Sequence, residues 1–240
     1  MAPVGKPFRE NRAVVRRVDF GYFVRPAEET GTGVPRVEAL LGYVVEHERG
    51  ALLFDTGMGS NAEVDAHYRP RRTALQQSLQ AAGYRLDEIT EVANCHLHFD
   101  HCGGNPMLAG RAFFAQASEL DAARGTNDYT LPELLDPPGV RWHELEGETE
   151  ILPGVLLLPT PGHTDGHQSL IVRGSDGSVV VVAGQSHESA HGYASDALAL
   201  RAHRDGADEP LPVPPEWMQK LVALDPSSVV FAHDHSVWRP

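Results

Sequence analysis

Residues 96–101 read His-Leu-His-Phe-Asp-His, and no other stretch constrains the fold as tightly. The hexapeptide follows an apolar run, Ile89 to Cys95, and precedes Gly103-Gly104, so it belongs on a tight loop leaving a strand. A metal ion needs several ligands converging from one rigid place, and such a loop supplies them. Imidazole nitrogens and a carboxylate are ligands that zinc prefers. In extended backbone His96 and His98 point the same way, while Asp100 and His101 turn aside and can serve a second ion. A window of this kind arises by chance in roughly two chains per thousand. More histidine stands at other strand ends. Pro161-Gly162-His163-Thr164 follows the apolar run to Pro159, and His233 and His235 follow the last strand. Three strand ends offering histidine is what a metal site at one edge of a sheet requires.

The remaining pattern predicts a layered α/β protein rich in hairpins. Strands are expected at Ala13 to Phe20, Val37 to Glu46 and Ala51 to Phe54, the last two joined through His47-Glu48-Arg49-Gly50. Gly31-Thr32-Gly33 reads as a loop. Thr73 to Gly83 has helical spacing and a glycine stop. Ala112 to Ala115 is strand-like, Ser118 is a candidate cap for a short helix from Glu119 to Arg124, and Thr126 to Gly139 reads as a loop. Ile151 to Pro159 is a strand with an internal turn. Gln168 to Arg173 and Ser178 to Ala183 form a second hairpin. His187 to Pro212 is a long polar segment of the kind that forms lids or stays disordered. Pro214 and Pro215 open a helix through Trp217, Leu221 and Leu224, and Ser228 to Ala232 is a final buried strand.

Composition narrows the partners. Lys plus Arg is 20 against 33 for Asp plus Glu, a net charge of −13. That surface repels phosphate backbones, which argues against nucleic acid. No apolar run approaches the roughly 18 residues that span a bilayer. The start, Met1 to Pro7, is too broken by Pro and Gly for a signal-peptide core, and two Cys cannot make a disulfide framework, so a cytoplasmic location without a membrane partner is expected.

HLHFDHCGGN, TPGHTDGHQSL and the strand-end His233, together with Asp55-Thr56-Gly57, resemble the metallo-β-lactamase superfamily in the right order from about Val37 to His233. The two extended strings resemble the N-acyl-homoserine lactone lactonases in particular. The resemblance implies one domain over residues 1–240, a four-layer αβ/βα sandwich with two mixed sheets flanked by helices. It also implies two zinc ions at the top edge. His96, His98 and His163 would hold one ion, and Asp100, His101 and His233 the other. His233 is preferred to His235 because Phe231-Ala232-His233-Asp234 resembles the lactonase ending. Phe99 lies in the metal loop and is expected near the substrate.

Two positions depart from the family. Where an Asp would bridge the metals, Val181-Val182-Ala183-Gly184 leads to Gln185, whose amide oxygen can ligate but carries no charge. Three readings stand together: Gln185 bridges or ligates one metal, His187 or Glu188 substitutes, or the site holds one firm and one labile ion. A pseudoenzyme is a fourth. The family also places a substrate-facing Tyr shortly after that Asp. Here the stretch is Ser186-His187-Glu188, and Tyr193 or His187 would have to take the role. Cys95 and Cys102 read as small buried groups, His167 as structural, and Asp55 as a group orienting a ligand His. His47, His67, His143 and His203 read as surface residues.

The implied chemistry is lactone hydrolysis, because zinc lowers the pKa of bound water to about 7. Asp100 would pass a proton to the leaving ring oxygen. No Ser or Cys nucleophile is required, and Ser169 and Ser186 show no base triad in the sequence. A thioesterase of the glyoxalase II type, an organophosphate hydrolase and a metal-binding pseudoenzyme are the competing readings. After His233 only Arg239 is basic, which counts against an anionic thioester.

Overall fold

The computed structural model describes residues 14–207 and 210–240. Ala13 and the Met1 to Pro7 stretch lie outside the described residues. A long N-terminal strand, β1 (Val15–Arg25), pairs antiparallel with β2 (Arg36–His47), and β2 turns through Glu48-Arg49 into β3 (Gly50–Phe54). Helix α1 (Ala62–Tyr68), the short β4 (Arg71–Arg72) and α2 (Leu75–Ala82) then lead to β5 (Ile89–Ala93). Next come β6 (Ala112–Gln116), α3 (Ala117–Gly125), α4 (Pro132–Leu135) and β7 (Arg141–Leu145). These strands form a seven-stranded mixed sheet in the order β4-β1-β2-β3-β5-β6-β7.

The second sheet is built from β8 (Thr149–Leu152), β9 (Val155–Pro159), β10 (Gln168–Arg173), β11 (Val179–Val182) and β12 (Ser228–Val230), in the order β12-β11-β10-β9-β8. Between β11 and β12 the chain forms α5 (Ala190–Arg204) and α6 (Glu216–Ala223).

Strand alternation explains the layering. Along β2, Ala39, Leu41, Tyr43 and Val45 pack with Leu157, Leu170 and Val182 of the other sheet, while Leu40 and Val44 pack with Leu75 and Leu79 of α2. The outer face of the second sheet, through Ile171, Val179 and Val181, packs on Tyr193 of α5 and on Met218 and Leu221 of α6. Three apolar layers therefore separate four structural ones, giving the expected αβ/βα sandwich.

Sheet direction gathers the site. β9 runs antiparallel to β10, β10 antiparallel to β11, and β11 parallel to β12. The C-terminal ends of β9, β11 and β12 therefore share one edge. In the first sheet β3 and β5 are parallel, so the loops after them also leave together. Main-chain bonds join the sheets at that edge: Gln168 N donates to Cys95 O at 2.8 Å, and Leu41 N to Ala232 O at 3.0 Å.

Much of the segment expected as a polar lid or disordered is instead the 15-residue α5, which ends at Arg204. Its stop signal is weak and only Tyr193 and Ala199 are buried, so periodicity hid it. Tertiary contacts anchor its start: the Asp234 carboxylate accepts from Ala190 N at 2.9 Å, and Ser189 Oγ accepts from Gly192 N at 3.3 Å. Within the stretch expected as loop, residues 132–135 form α4, a short turn under Leu134 and Leu135. β7 is a mostly exposed edge strand with the polar sequence RWHEL, and gave no strand signal. Helix α3 begins at Ala117, so Ser118 lies inside it and caps nothing.

Candidate metal centre

The loop 94–104 is locked before any ligand is considered. Asp55 takes φ +62°, a left-handed conformation uncommon for a non-glycine residue. Its Oδ1 accepts from Cys95 N at 2.8 Å and its Oδ2 lies 3.1 Å from His101 Nδ1. Thr56 N and Asn94 Nδ2 both donate to His101 O at 2.8 Å. A Cβ on Gly103 would come within 2.2 Å of the Met58 backbone, so only glycine passes there. From the other side, buried Glu119 accepts from Leu97 N at 2.7 Å, Tyr129 Oη at 2.6 Å and Thr164 Oγ1 at 2.7 Å. One carboxylate thereby ties the loop after β5 to the loop after β9. Sequence reasoning missed it; an acid facing the interior from a short helix gave no signal.

Two groups of ligand atoms result. His96 Nε2 is 2.9 Å from His98 Nδ1, which is 3.2 Å from His163 Nε2. Asp100 Oδ2 stands 3.6 Å from His101 Nε2 and 3.5 Å from His233 Nε2, and those two nitrogens are 3.2 Å apart. Gln185 Oε1 joins the second group, 3.2 Å from His101 Nε2 and 3.3 Å from His233 Nε2. Ligands about 2.0–2.1 Å from a tetrahedral ion lie about 3.3–3.4 Å apart, so both groups fit transition-metal sites such as those of zinc. The outer ring nitrogens are committed elsewhere. His233 Nδ1 donates to Ala39 O at 2.7 Å, and His96 Nδ1 lies 3.1 Å from Cys95 Sγ. Such partners fix the tautomer that aims a lone pair at the metal position.

The electrostatics differ between the groups. Burial pushes the His96 and His98 imidazoles below their ordinary range and His163 down to about 3, helped by mutual histidine repulsion. These rings are neutral and ready to ligate at pH 7. Burial alone would lower His101, but Asp100 and Asp55 outweigh it and raise it to about 9. Burial alone would raise the Asp100 carboxyl, but the charges of His101, His233, His98 and Arg25 bring it down to about 2.

The structure bears on one of the readings at residue 185, that His187 or Glu188 substitutes. Gln185 is buried and its oxygen points into the second group. His187 turns to Asp196, with Nε2 to Oδ2 at 3.1 Å, and Glu188 pairs with Arg36 at 2.5 Å, so neither reaches the ligands. His167, fully buried, accepts from Gln185 N through Nε2 at 3.0 Å, and its Nδ1 donates to Thr160 O at 3.1 Å. It therefore positions the backbone of residue 185. The Ser186 hydroxyl lies 3.2 Å from His187 Nδ1, completing a Ser186–His187–Asp196 chain that the sequence did not reveal, because Asp196 arrives on α5. The His187 ring sits between Tyr193 and Trp217, tying the loop to the helices.

A cavity of about 240 Å³ opens over the ligands, lined by Phe23, Arg25, Tyr68, Phe99, Asp128 and Tyr129 beside His98, Asp100, His163 and Gln185. Phe99 is there as expected, packed on Tyr68 at 5.3 Å. Tyr193 is not. Its ring is fully buried between α5 and the second sheet, against Phe231 and Trp238, because the helix turns it toward the apolar layer. His235 is exposed, and His47 is half-buried against Glu91 rather than on the surface.

A family model described as the metallo-beta-lactamase superfamily matches residues 41–233. The chain belongs to this superfamily. An N-acyl homoserine lactonase from a Bacillus species is 35% identical over 143 residues, covering 54% of this chain and 56% of that protein. The AttM N-acyl homoserine lactonase of Rhizobium radiobacter is 30% identical over 105 residues, 40% of each chain. The chain thus spans less than two thirds of the length of these curated relatives. Among solved structures, an N-acyl homoserine lactone hydrolase with N-hexanoyl-L-homoserine at its catalytic metal centre superposes with a TM-score of 0.73 at 24% identity, covering 94% of both chains. The dizinc quorum-quenching lactonase AidC superposes at 0.64 and 16% identity, covering 96% of this chain and 90% of that one. These superpositions establish the metallo-beta-lactamase fold.

Proposed function

We propose that this superfamily member is a zinc-dependent hydrolase that opens lactone rings, with N-acyl homoserine lactones as its substrates and quorum quenching as the consequence. We place it in the cytoplasm as one domain over residues 1–240. The observation that carries the reading is the pair of ligand groups bordering a single cavity, His96/His98/His163 and Asp100/His101/His233 with Gln185. The lactonase relatives supply the substrate class.

Metal bound there would activate water at neutral pH and withdraw charge from a carbonyl. The chain's own groups do the rest. Phe23, Tyr68, Phe99 and Tyr129 give the cavity an aromatic wall that orients a small ring. Asp100, ionised and inside the cavity, accepts the proton that the attacking water loses and delivers it to the ring oxygen as the acyl C–O bond breaks. Water is consumed, and a carboxylic acid and an alcohol leave.

The test is metal analysis beside an acidification assay. Purified protein should carry zinc and acidify unbuffered N-acyl homoserine lactone, and His98→Ala should lose metal and activity together. Turnover of a thioester or phosphotriester with no lactone opening would replace this reading with another hydrolase of the fold. Protein that neither holds nor takes up metal would leave a pseudoenzyme.

A further inference from the structure

The cavity has one cationic wall that the chemistry above does not use. Arg25, the last residue of β1, lines it together with Asp100, His98 and Gln185. Its guanidinium is held from behind. Nε donates to Glu38 Oε1 at 2.7 Å, Nη2 to Glu38 Oε2 at 2.9 Å, and Nη1 to Glu29 Oε2 at 3.3 Å, with the Phe23 ring centroid 5.2 Å away. Glu38 is 4% exposed, so this fork-to-fork pair is anchored in the interior. A guanidinium carries five N–H groups, and three are used. The other two have no acceptor among the described residues.

The charge balance says what those two donors suit. Glu29 and Glu38 offset the positive charge directly, Glu38 being shared with Arg36, which also pairs with Glu188, and Asp100 and Asp128 line the same cavity. The wall is therefore a poor trap for a free anion. Its guanidinium is held in place by carboxylates at the cavity wall, so its remaining N–H groups suit an uncharged carbonyl oxygen. In an N-acylated amino lactone the amide stands on the carbon next to the lactone carbonyl. With that carbonyl at the ligand groups, the amide oxygen is the acceptor within reach of the neighbouring wall.

We propose that Arg25 is a specificity-determining residue whose two unpaired guanidinium N–H groups hold the amide carbonyl of an N-acylated lactone. The assignment rests on the lactonase reading and adds the feature that separates N-acylated lactones from bare ones.

The experiment compares N-hexanoyl homoserine lactone with γ-butyrolactone, which lacks the amide, on zinc-loaded full-length protein. Losing a hydrogen bond from a charged donor should lower the kcat/KM ratio of acylated over bare lactone about 10- to 100-fold in Arg25→Met, mainly through KM. Because Arg25→Met leaves Glu38 paired with Arg36 alone, Arg25→Lys is measured too: it keeps a second charge for Glu38 but cannot form the fork, and should lower the same ratio. Zinc content and Tm are read for each variant, so a collapsed site is recognised as such. A selectivity ratio equal to wild type in a folded, metal-loaded variant overturns the assignment alone. Wild-type protein that opens neither lactone overturns the lactonase reading, and this assignment with it.

Discussion

Replacing Gln185 tests how the second metal site is balanced. The groups that would hold it are one carboxylate and two imidazoles, with a neutral amide oxygen 3.2 Å and 3.3 Å from the two imidazole nitrogens. Gln185→Glu keeps the side-chain length and puts a carboxylate oxygen where the amide oxygen now stands. Gln185→Asp shortens the reach by one bond, about 1.5 Å, so its oxygen falls short unless the backbone follows. The backbone is held by His167 and by Gly184, where an added Cβ would meet Cys95 Cβ at 2.5 Å. Glu should therefore outperform Asp. A unit negative charge about 2 Å from a dication gains roughly 4 kcal/mol even at the dielectric constant of water. Stripping water from a buried carboxylate removes much of this. A net gain of about 1.4–2.8 kcal/mol is expected, tightening the second Kd about 10- to 100-fold. Zinc titration into metal-free protein, followed by calorimetry, measures it. Thermal melts add a check: with two zinc ions bound, the Tm of Gln185→Glu should rise above that of wild type. Equal second-site affinities in wild type and Gln185→Glu would refute the charge-deficit argument.

The two ligand groups should also respond differently to pH. Below about 9 the proton on His101 competes with metal, so affinity at the Asp100/His101/His233 group should climb between pH 7 and 9. The His96/His98/His163 group, already neutral, should be flat over that range, and parallel slopes would refute the assignment. For metal-free stability the signs are opposite. His101, raised in the fold, contributes below about 6.5 and loses its contribution as pH rises toward 9. His163, lowered in the fold, contributes above about 6.5 and loses its contribution as pH falls toward 3, which urea melts across pH can read. Glu119→Ala strands Leu97 N, Tyr129 Oη and Thr164 Oγ1 and should destabilise the protein by about 3 kcal/mol or more in urea unfolding. A loss below about 1 kcal/mol would mean that the carboxylate is not what joins the two loops.

The sequence by itself determined the elements whose side chains repeat at short range. The hairpins β2–β3 and β10–β11 were legible because nearly unbroken apolar runs flank turn residues, and α2 because Leu75 and Leu79 recur at helical spacing before Gly83. His96, His98, Asp100 and His101 were legible for the same reason: they lie within six residues, so a local pattern carries them. The partners that meet across long separations are carried by no local pattern: the family resemblance named His163, Gln185 and His233, and the tertiary structure is what brings them to His98 and His101. Gln185 joins His101 across 84 positions and His233 meets His101 across 132, because parallel strand ends of two packed sheets reach one edge. Likewise Glu119 reaches both site loops from α3, and α5 turns Tyr193 into the core and brings Asp196 to His187. A one-dimensional pattern records period and spacing. It does not record which face of a helix finds an apolar layer to cover, and that burial placed these residues.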